Sequence, residues 1–290
     1  MFGVVVNPVS GRGRHDELTR QVVSMLGEAG HESRVYRTQT EEDGERQTQL
    51  ALEDGCEAIV CIGGDGTLSE VVRPLAGTGR PLYIVPNGTG NDFIRALRLP
   101  LEPLEALRRQ LRGQPTAIDC ASLNGKPFVN VSGSGFDVEV LRKTEELKAT
   151  YPGPKAYRKA IAAVLGSYRP FEAELSLDGG AFRPIRVTIA ELANGQFIGG
   201  GMHVAPNASP RDGLLDVVLV RAVPRLTIPL LVPLFILGIH TALPIVSVQR
   251  VREATLRARG MVVNIDGRLR QMDEARFAVL PGALTMMLPR

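Results

Sequence analysis

The chain has 290 residues, 44% apolar and 22% charged, and its 34 basic and 31 acidic residues leave a net charge of +3. That length exceeds one ordinary domain and predicts two, each with enough apolar residues for its own core. The near-even charge carries no nucleic-acid signature, although an unevenly placed basic face could still meet acidic lipids or phosphates. Three cysteines, Cys56, Cys61 and Cys120, show no metal spacing and cannot all pair. Cys61 lies in an apolar run, so a buried free thiol in a reducing, cytoplasmic setting is expected. The apolar start is cut at once by Asn7-Pro8, and no secretory signal is expected.

In chain order, residues 3–6 form a short apolar strand that runs into Asn7-Pro8-Val9-Ser10-Gly11. Leu18, Val22, Met25, Leu26 and Ala29 then recur at helical spacing, and residues 32–36 read as a strand ending at Thr38. A weakly amphipathic helix over 41–53 precedes the strand 58–62. Gly63-Gly64-Asp65-Gly66-Thr67 follows, and Leu68, Val71, Val72 and Leu75 then share a helix face. The strand 82–85 ends in another such turn, Pro86-Asn87-Gly88-Thr89-Gly90-Asn91-Asp92. Alternating buried strands and helices predict a parallel sheet covered on both faces, with its functional turns together at the carboxyl ends.

From about residue 116 the texture changes. Residues 117–123 and 127–132 flank Asn124-Gly125, which predicts a hairpin with a type I′ turn. Helical patterns cover 138–148 and 155–168. Strands are expected at 171–177, 185–193, 215–220, 247–251, 253–258 and 262–265, which suggests an antiparallel sandwich or barrel-like second domain. Residues 278–280 and 284–288 either finish this domain or return to the first. The expected boundaries are therefore 1–115 and 116–280, with 281–290 free to rejoin the first domain. Residues 226–246 are almost uncharged but carry Pro229, Pro233 and Pro244. They are expected to be buried core rather than a spanning helix, with lipid contact at the surface as the lesser alternative.

Strand, glycine turn and helix bring backbone amides and a positive helix end to a phosphate. Asp65 stands awkwardly there unless a cation or a reacting hydroxyl intervenes; taken alone, the stretch is equally a tight turn. No Walker loop, Gly-x-Ser-x-Gly elbow or His-Glu-x-x-His helix occurs, and Gly11-Arg12-Gly13 lacks the third glycine of a dinucleotide fingerprint. The four histidines are scattered.

Together, Asn7-Pro8-x-Ser10-Gly11, Gly63 to Thr67 with Glu70, and Pro86-x-Gly88-Thr89-x-Asn91-Asp92-Phe93 resemble the diacylglycerol kinase catalytic family. More narrowly they resemble its bacterial lipid-kinase branch, with sphingosine- and ceramide-kinase relatives. Asp119, Phe128-Val129-Asn130-Val131, Gly133-x-Gly135-Phe136-Asp137, Asn194-Gly195, Gly199-Gly200-Gly201-Met202, Ala205-Pro206, Asp212-Gly213-Leu214-Leu215-Asp216 and Leu280-Pro281-Gly282 continue the resemblance nearly end to end. It implies an α/β fold, an NAD-kinase-like three-layer parallel-sheet domain, followed by an antiparallel β-sandwich domain. It also implies ATP in the cleft between them and phosphoryl transfer from ATP–Mg²⁺ to a lipid hydroxyl. Asn7, Pro8, Ser10, Gly11, Thr38, Gly63, Gly64, Asp65, Gly66, Thr67, Glu70, Gly88, Thr89 and Asn91 would line the nucleotide. Asp65 and Asp119 would lie near the transferred phosphate, and Ser209, Asp212 and Leu214 match the place of a structural Mg²⁺. Location would be cytoplasmic, peripheral at the inner membrane face, with a lipid substrate there; a homodimer stays open.

One triplet departs from the pattern. The family's late Asp-Gly-Glu, whose Glu is the proposed base, is here Asp266-Gly267-Arg268, and an arginine accepts no proton at physiological pH. Either Asp266 serves as base, or Asp273 or Glu274 reaches in, or Arg268 pairs with an anionic group of an unusual acceptor. The rival readings are an NAD-kinase-like enzyme and a catalytically impaired nucleotide- or lipid-binding regulator.

Overall fold

Three runs without a charged residue, β1 (Phe2–Val6), β3 (Ala58–Gly63) and β4 (Pro81–Pro86), are buried along nearly their whole length. Such strands suit the interior of a helix-covered parallel sheet. In the computed structural model, which describes residues 1–8, 15–40, 43–151 and 154–289, they pair in parallel with β2 (Ser33–Arg37) in the order β2-β1-β3-β4. Helices α1 (His15–Glu28), α2 (Asp43–Glu53), α3 (Asp65–Leu75), α4 (Asp92–Ala96) and α5 (Pro103–Leu111) complete three layers. Successive strand residues alternate between two cores: Val5, Ile59, Cys61 and Leu82 on one face, Val4, Val60, Ile62 and Tyr83 on the other. All three cysteines are buried and free.

β5 (Gln114–Leu123) and β6 (Lys126–Phe128) form the expected hairpin; Asn124 and Gly125 have φ of 48° and 81°, as a type I′ turn requires. Then come β7 (Val131–Gly135), α6 (Phe136–Lys148), α7 (Pro154–Ser167), β8 (Phe171–Leu177), β9 (Arg183–Ala193), β10 (Phe197–Ile198) and β11 (Met202–His203). β12 (Leu215–Arg221), α8 (Ile228–Leu237), β13 (Val246–Val251), β14 (Glu253–Ile265) and β15 (Arg268–Leu288) complete the chain. β14, β8, β9 and β7 hydrogen-bond around a closed antiparallel circuit, the heart of the β-sandwich.

Two pairs of expected strands are single strands. Residues 253–258 and 262–265 join in β14 across an irregularity at Gly260 (φ 65°), and 278–280 and 284–288 join in β15. β15 runs antiparallel to β14 and β5, and its end pairs in parallel with β4 through Thr285 and Met286. The last strand is therefore a covalent and hydrogen-bonded link between the parallel and antiparallel parts.

The expectation for residues 226–246 is corrected. α8 is ten residues long, starts at a proline-containing turn and stops at Gly238 in the left-handed region. Ile228, Leu231 and Phe235 are buried in the core and Leu234 packs partly against it, because so short a helix presents one face inward. Leu226, Leu230, Ile236, Leu237 and Ile239 face outward. No helix among the described residues is long and apolar enough to cross a membrane.

Where α6 meets β9, Asp137 and fully buried Glu191 lie together in the interior. Among the described residues no donor satisfies either Glu191 oxygen or Asp137 Oδ1. Burial first, then the neighbouring Asp137, push Glu191 well above the usual carboxylate range. A carboxyl raised on folding holds more protons in the native state, so its stabilisation is complete in acid and is lost as pH rises toward the folded value. Urea unfolding between about pH 5 and pH 9 should show stability falling with pH. Glu191→Gln should flatten that decline; an unchanged slope would remove Glu191 as its source.

Candidate active site

Parallel strands place their carboxyl ends side by side, so the turns after β1, β3 and β4 meet at one edge. Asn7 Nδ2 donates to Thr67 Oγ1 at 3.2 Å, and the Asn87 amide donates to the Gly63 carbonyl at 2.8 Å. Gly64 and Gly88 touch backbone to backbone: a Cβ on Gly88 would lie 2.5 Å from Gly64 Cα, one on Gly64 2.9 Å from Gly88 Cα. Only glycine permits that approach. Asn91 closes the third turn in the left-handed region (φ 52°), its side chain accepting from the Gly88 amide and donating to the Gly88 carbonyl.

Asp65 begins α3 and reaches across to α4, where its Oδ1 accepts the Phe93 amide at 3.1 Å. Burial raises its pKa, and hydrogen bonds from the amides of Phe93, Asp92 and Asn91 work against that rise. Asp92 is raised first by burial, with the charge of Asp65 adding to it, while both its oxygens accept the Gly200 amide at 3.1 and 3.0 Å. Arg95 donates to Gly90 O at 3.4 Å and lies beside Gly201. Thr67 and Thr38 are buried at this edge, Gly66 and Pro8 are partly exposed, and Thr89 is open to solvent. Ser10 and Gly11, expected to line the nucleotide, lie outside the described residues.

From the second domain, the β14–β15 turn reaches the same place. Asp266 (φ 47°) is buried and accepts the amides of Val129 and Asn130, both at 3.0 Å. Burial drives its pKa up to about 6, with the charge of Asp65 contributing and the two amides opposing. Two residues on, Arg268 pairs with Glu70 on α3, whose other oxygen accepts the Gly44 amide at 2.7 Å. Asp273 and Glu274 are held elsewhere: Asp273 takes the Gly260 amide at 2.6 Å, and Glu274 sits between Arg257 and Arg276.

Behind Gly199–Gly201 opens an apolar cavity of about 410 Å³ between α6, α7 and α8, lined by Phe136, Tyr157, Ile161, Leu231 and Phe235 among others. The glycine wall links cavity to turns, since Gly200 bonds Asp92 and Gly90 packs against Asp65. His240, one of the scattered histidines, is structural: it is buried, stacked on Phe235 with ring centres 3.7 Å apart, and bonded to Val204 O.

With this geometry the comparisons with known proteins agree. Residues 1–123 match the diacylglycerol kinase catalytic domain, and 130–288 match the YegS C-terminal NAD kinase beta sandwich-like domain. The chain belongs to the diacylglycerol kinase catalytic family. A diacylglycerol kinase of Mycobacterium tuberculosis is 31% identical, covering 99% of this chain and 94% of its own. A protein of Pseudomonas fluorescens named "Probable lipid kinase YegS-like" is 33% identical, covering 96% and 93%. The crystal structure of a diacylglycerol kinase from Bacillus anthracis shares the fold with a TM-score of 0.74 at 21% identity, covering 99% of this chain and 96% of its own.

The family resemblance implies a structural Mg²⁺ at Ser209, Asp212 and Leu214. Here Asp212 pairs with the Arg250 guanidinium, its Oδ1 accepts the Leu214 amide at 3.1 Å, and Arg250 also approaches Asp216 at 3.5 Å. Asp212 is thus engaged by an arginine, and among the described residues no group of three or more acidic, histidine or cysteine side chains is gathered here. The resemblance draws in Ser209 and Leu214 through their backbone carbonyls. Asp119 is tied to this loop: its two oxygens accept the amides of Gly213 and Gly282, each at 2.8 Å.

Sequence reasoning gave neither Asp92 nor the glycine wall a role in the site, although both stand among the motif residues. Asp92 was legible in the turn after β4; the wall was not, because nothing local shows that Gly200 faces α4. Two outcomes test the arrangement. Gly88→Ala should destabilise by about 1–3 kcal/mol and weaken ATP-analogue binding, read by thermal unfolding and calorimetry. Arg250→Ala should lower the Tm by several degrees, because it leaves the buried Asp216 carboxylate without its cation.

Proposed function

We propose that this protein is a lipid kinase that transfers the γ-phosphoryl group of ATP to a lipid hydroxyl such as that of diacylglycerol, at the membrane surface. One observation carries the reading: an apolar cavity is walled by Gly199–Gly201, whose Gly200 amide bonds Asp92 next to Asp65, beside three nucleotide-type turns. The cavity takes an acyl chain, and the turns take the nucleotide. Neutral donors from Asn7, Thr67 and the glycine amides bind the phosphates with the help of the α3 N-terminus. Mg²⁺ enters as part of the ATP complex and neutralises phosphate oxygens.

The acceptor oxygen forms a bond to the γ-phosphorus as the bond from that phosphorus to the β–γ bridging oxygen breaks, and ADP leaves. The hydroxyl proton passes to Asp266, the buried carboxylate beside Asp65. Arg268 takes no proton; its pairing with Glu70 ties the β14–β15 turn to α3. Loose phosphoryl transfer depends mainly on positioning and charge, which this tie supplies.

Labelled ATP offered with diacylglycerol, sphingoid and ceramide acceptors in mixed micelles should give a phospholipid with at least one of them. No product with any acceptor, despite measured ATP binding, would falsify the proposal. Asp65→Asn should abolish transfer and keep the fold. A base is active only when ionised, so kcat/KM should be flat at neutral pH and fall as pH drops through about 6. Asp266→Asn should remove that limb and lower kcat about 10²–10⁴-fold.

The Arg268–Glu70 pair also favours a second reading, a catalytically impaired nucleotide- or lipid-binding regulator, because it occupies a carboxylate expected at the nucleotide. A several-fold rise in kcat for Arg268→Glu would support that reading; a fall would support the tie.

A further inference from the structure

α8 is apolar on every side, with no polar side chain in its ten residues. A helix of that composition is stable only when covered all round. Here one side is open: Leu226, Leu230 and Leu237 are 83%, 71% and 67% exposed, and Ile236 and Ile239 are more than half exposed. We infer that α8 is a docking element that lies in the headgroup region of the anionic bilayer leaflet facing the protein, and delivers the acceptor lipid into the cavity behind it. The inference rests on the lipid-kinase reading and adds its partner surface and orientation.

Three observations select a bilayer as the occupant. Val232 and Ile236 both line the cavity and are exposed, so the cavity mouth opens through the apolar patch. A chain moving from bilayer to cavity would cross no water. Next, residues 222–246 contain one charged side chain, Arg225, and neighbouring α7 carries exposed Lys155, Arg158 and Lys159 without one acidic residue. Cations beside an apolar strip suit acidic headgroups. Finally, a second copy docking around a two-fold axis would oppose the same cations. At about 15 Å α8 is too short to span, which leaves it lying in the interface.

Leu230 and Leu237 do not line the cavity, so they separate docking from acceptor binding. Sedimentation with vesicles of equal parts phosphatidylcholine and phosphatidylglycerol should bind the wild type. Leu230→Glu with Leu237→Glu should weaken that binding about tenfold or more. The same variant should lose turnover on vesicle-borne acceptor and keep it on soluble dihexanoylglycerol. Because the chain has no tryptophan, Leu230→Trp reports alone: its emission should shift blue on vesicles, while Leu50→Trp on α2 should not move. Equal vesicle binding by the glutamate variant, or a dimer that this variant splits without changing vesicle binding, would overturn the proposal. Vesicle binding through α8 with no lipid phosphorylated would leave docking standing and remove the kinase reading.

Discussion

The site depends on the contact between the Gly64 and Gly88 backbones. Neither turn tolerates a side chain there, since any Cβ would fall inside the other turn's van der Waals surface. Because the two meet, Asp65 at the start of α3 reaches the N-terminus of α4, and its carboxylate is held by backbone amides. Amides can hold an acid at a protein interior without quenching it with a fixed positive charge. That leaves Asp65 buried and raised in pKa beside Asp92 and Asp266.

The second domain joins this constraint through one strand. β15 begins at the turn that carries Asp266 and Arg268 and ends by pairing with β4, whose carboxyl end carries the Gly88 turn. The element that closes the parallel sheet thus also places the buried carboxylate over it. Asp119 and Arg250 act farther along the same architecture, where backbone amides and a guanidinium shape the loop before β12. The Asp212–Arg250 pair is partly open to water and adds little stability, whereas Asp216 is buried, so losing the arginine leaves a carboxylate uncompensated.

On the far side of the glycine wall the chemistry changes from polar to apolar within a few residues. Gly200 gives its amide to Asp92 on one side and walls the cavity on the other. Asp137, which lines this cavity, and Glu191 are buried, and among the described residues no donor meets either Glu191 oxygen or Asp137 Oδ1, so pH reaches the packing of α6 on β9. α8 covers the cavity with its inner face and leaves its outer face bare. An uncovered apolar helix is the largest departure of this fold from a self-sufficient surface.

Much of the fold was legible in the chain itself. The buried runs 58–62 and 82–85 have no polar alternation, which marks strands covered on both faces, and Asn124-Gly125 marks its hairpin through two positive φ angles. The turn motifs around Asn7, Gly63 and Gly88 are likewise local, because phosphate-type turns need small residues at fixed spacing. Residues 226–246 were misjudged for a physical reason: an apolar run shows that water is unfavourable, not which neighbour replaces it. The tie of Asp119 to Gly213 and Gly282, the capture of Asp212 by Arg250 and the Arg268–Glu70 pair lay beyond the sequence. Each joins residues tens to hundreds of positions apart, and only strand register and domain closure bring them within bonding distance. The sequence by itself determined the strands, the turns and the family resemblance; the tertiary structure decided which carboxylates share a site, because that depends on register rather than on spacing.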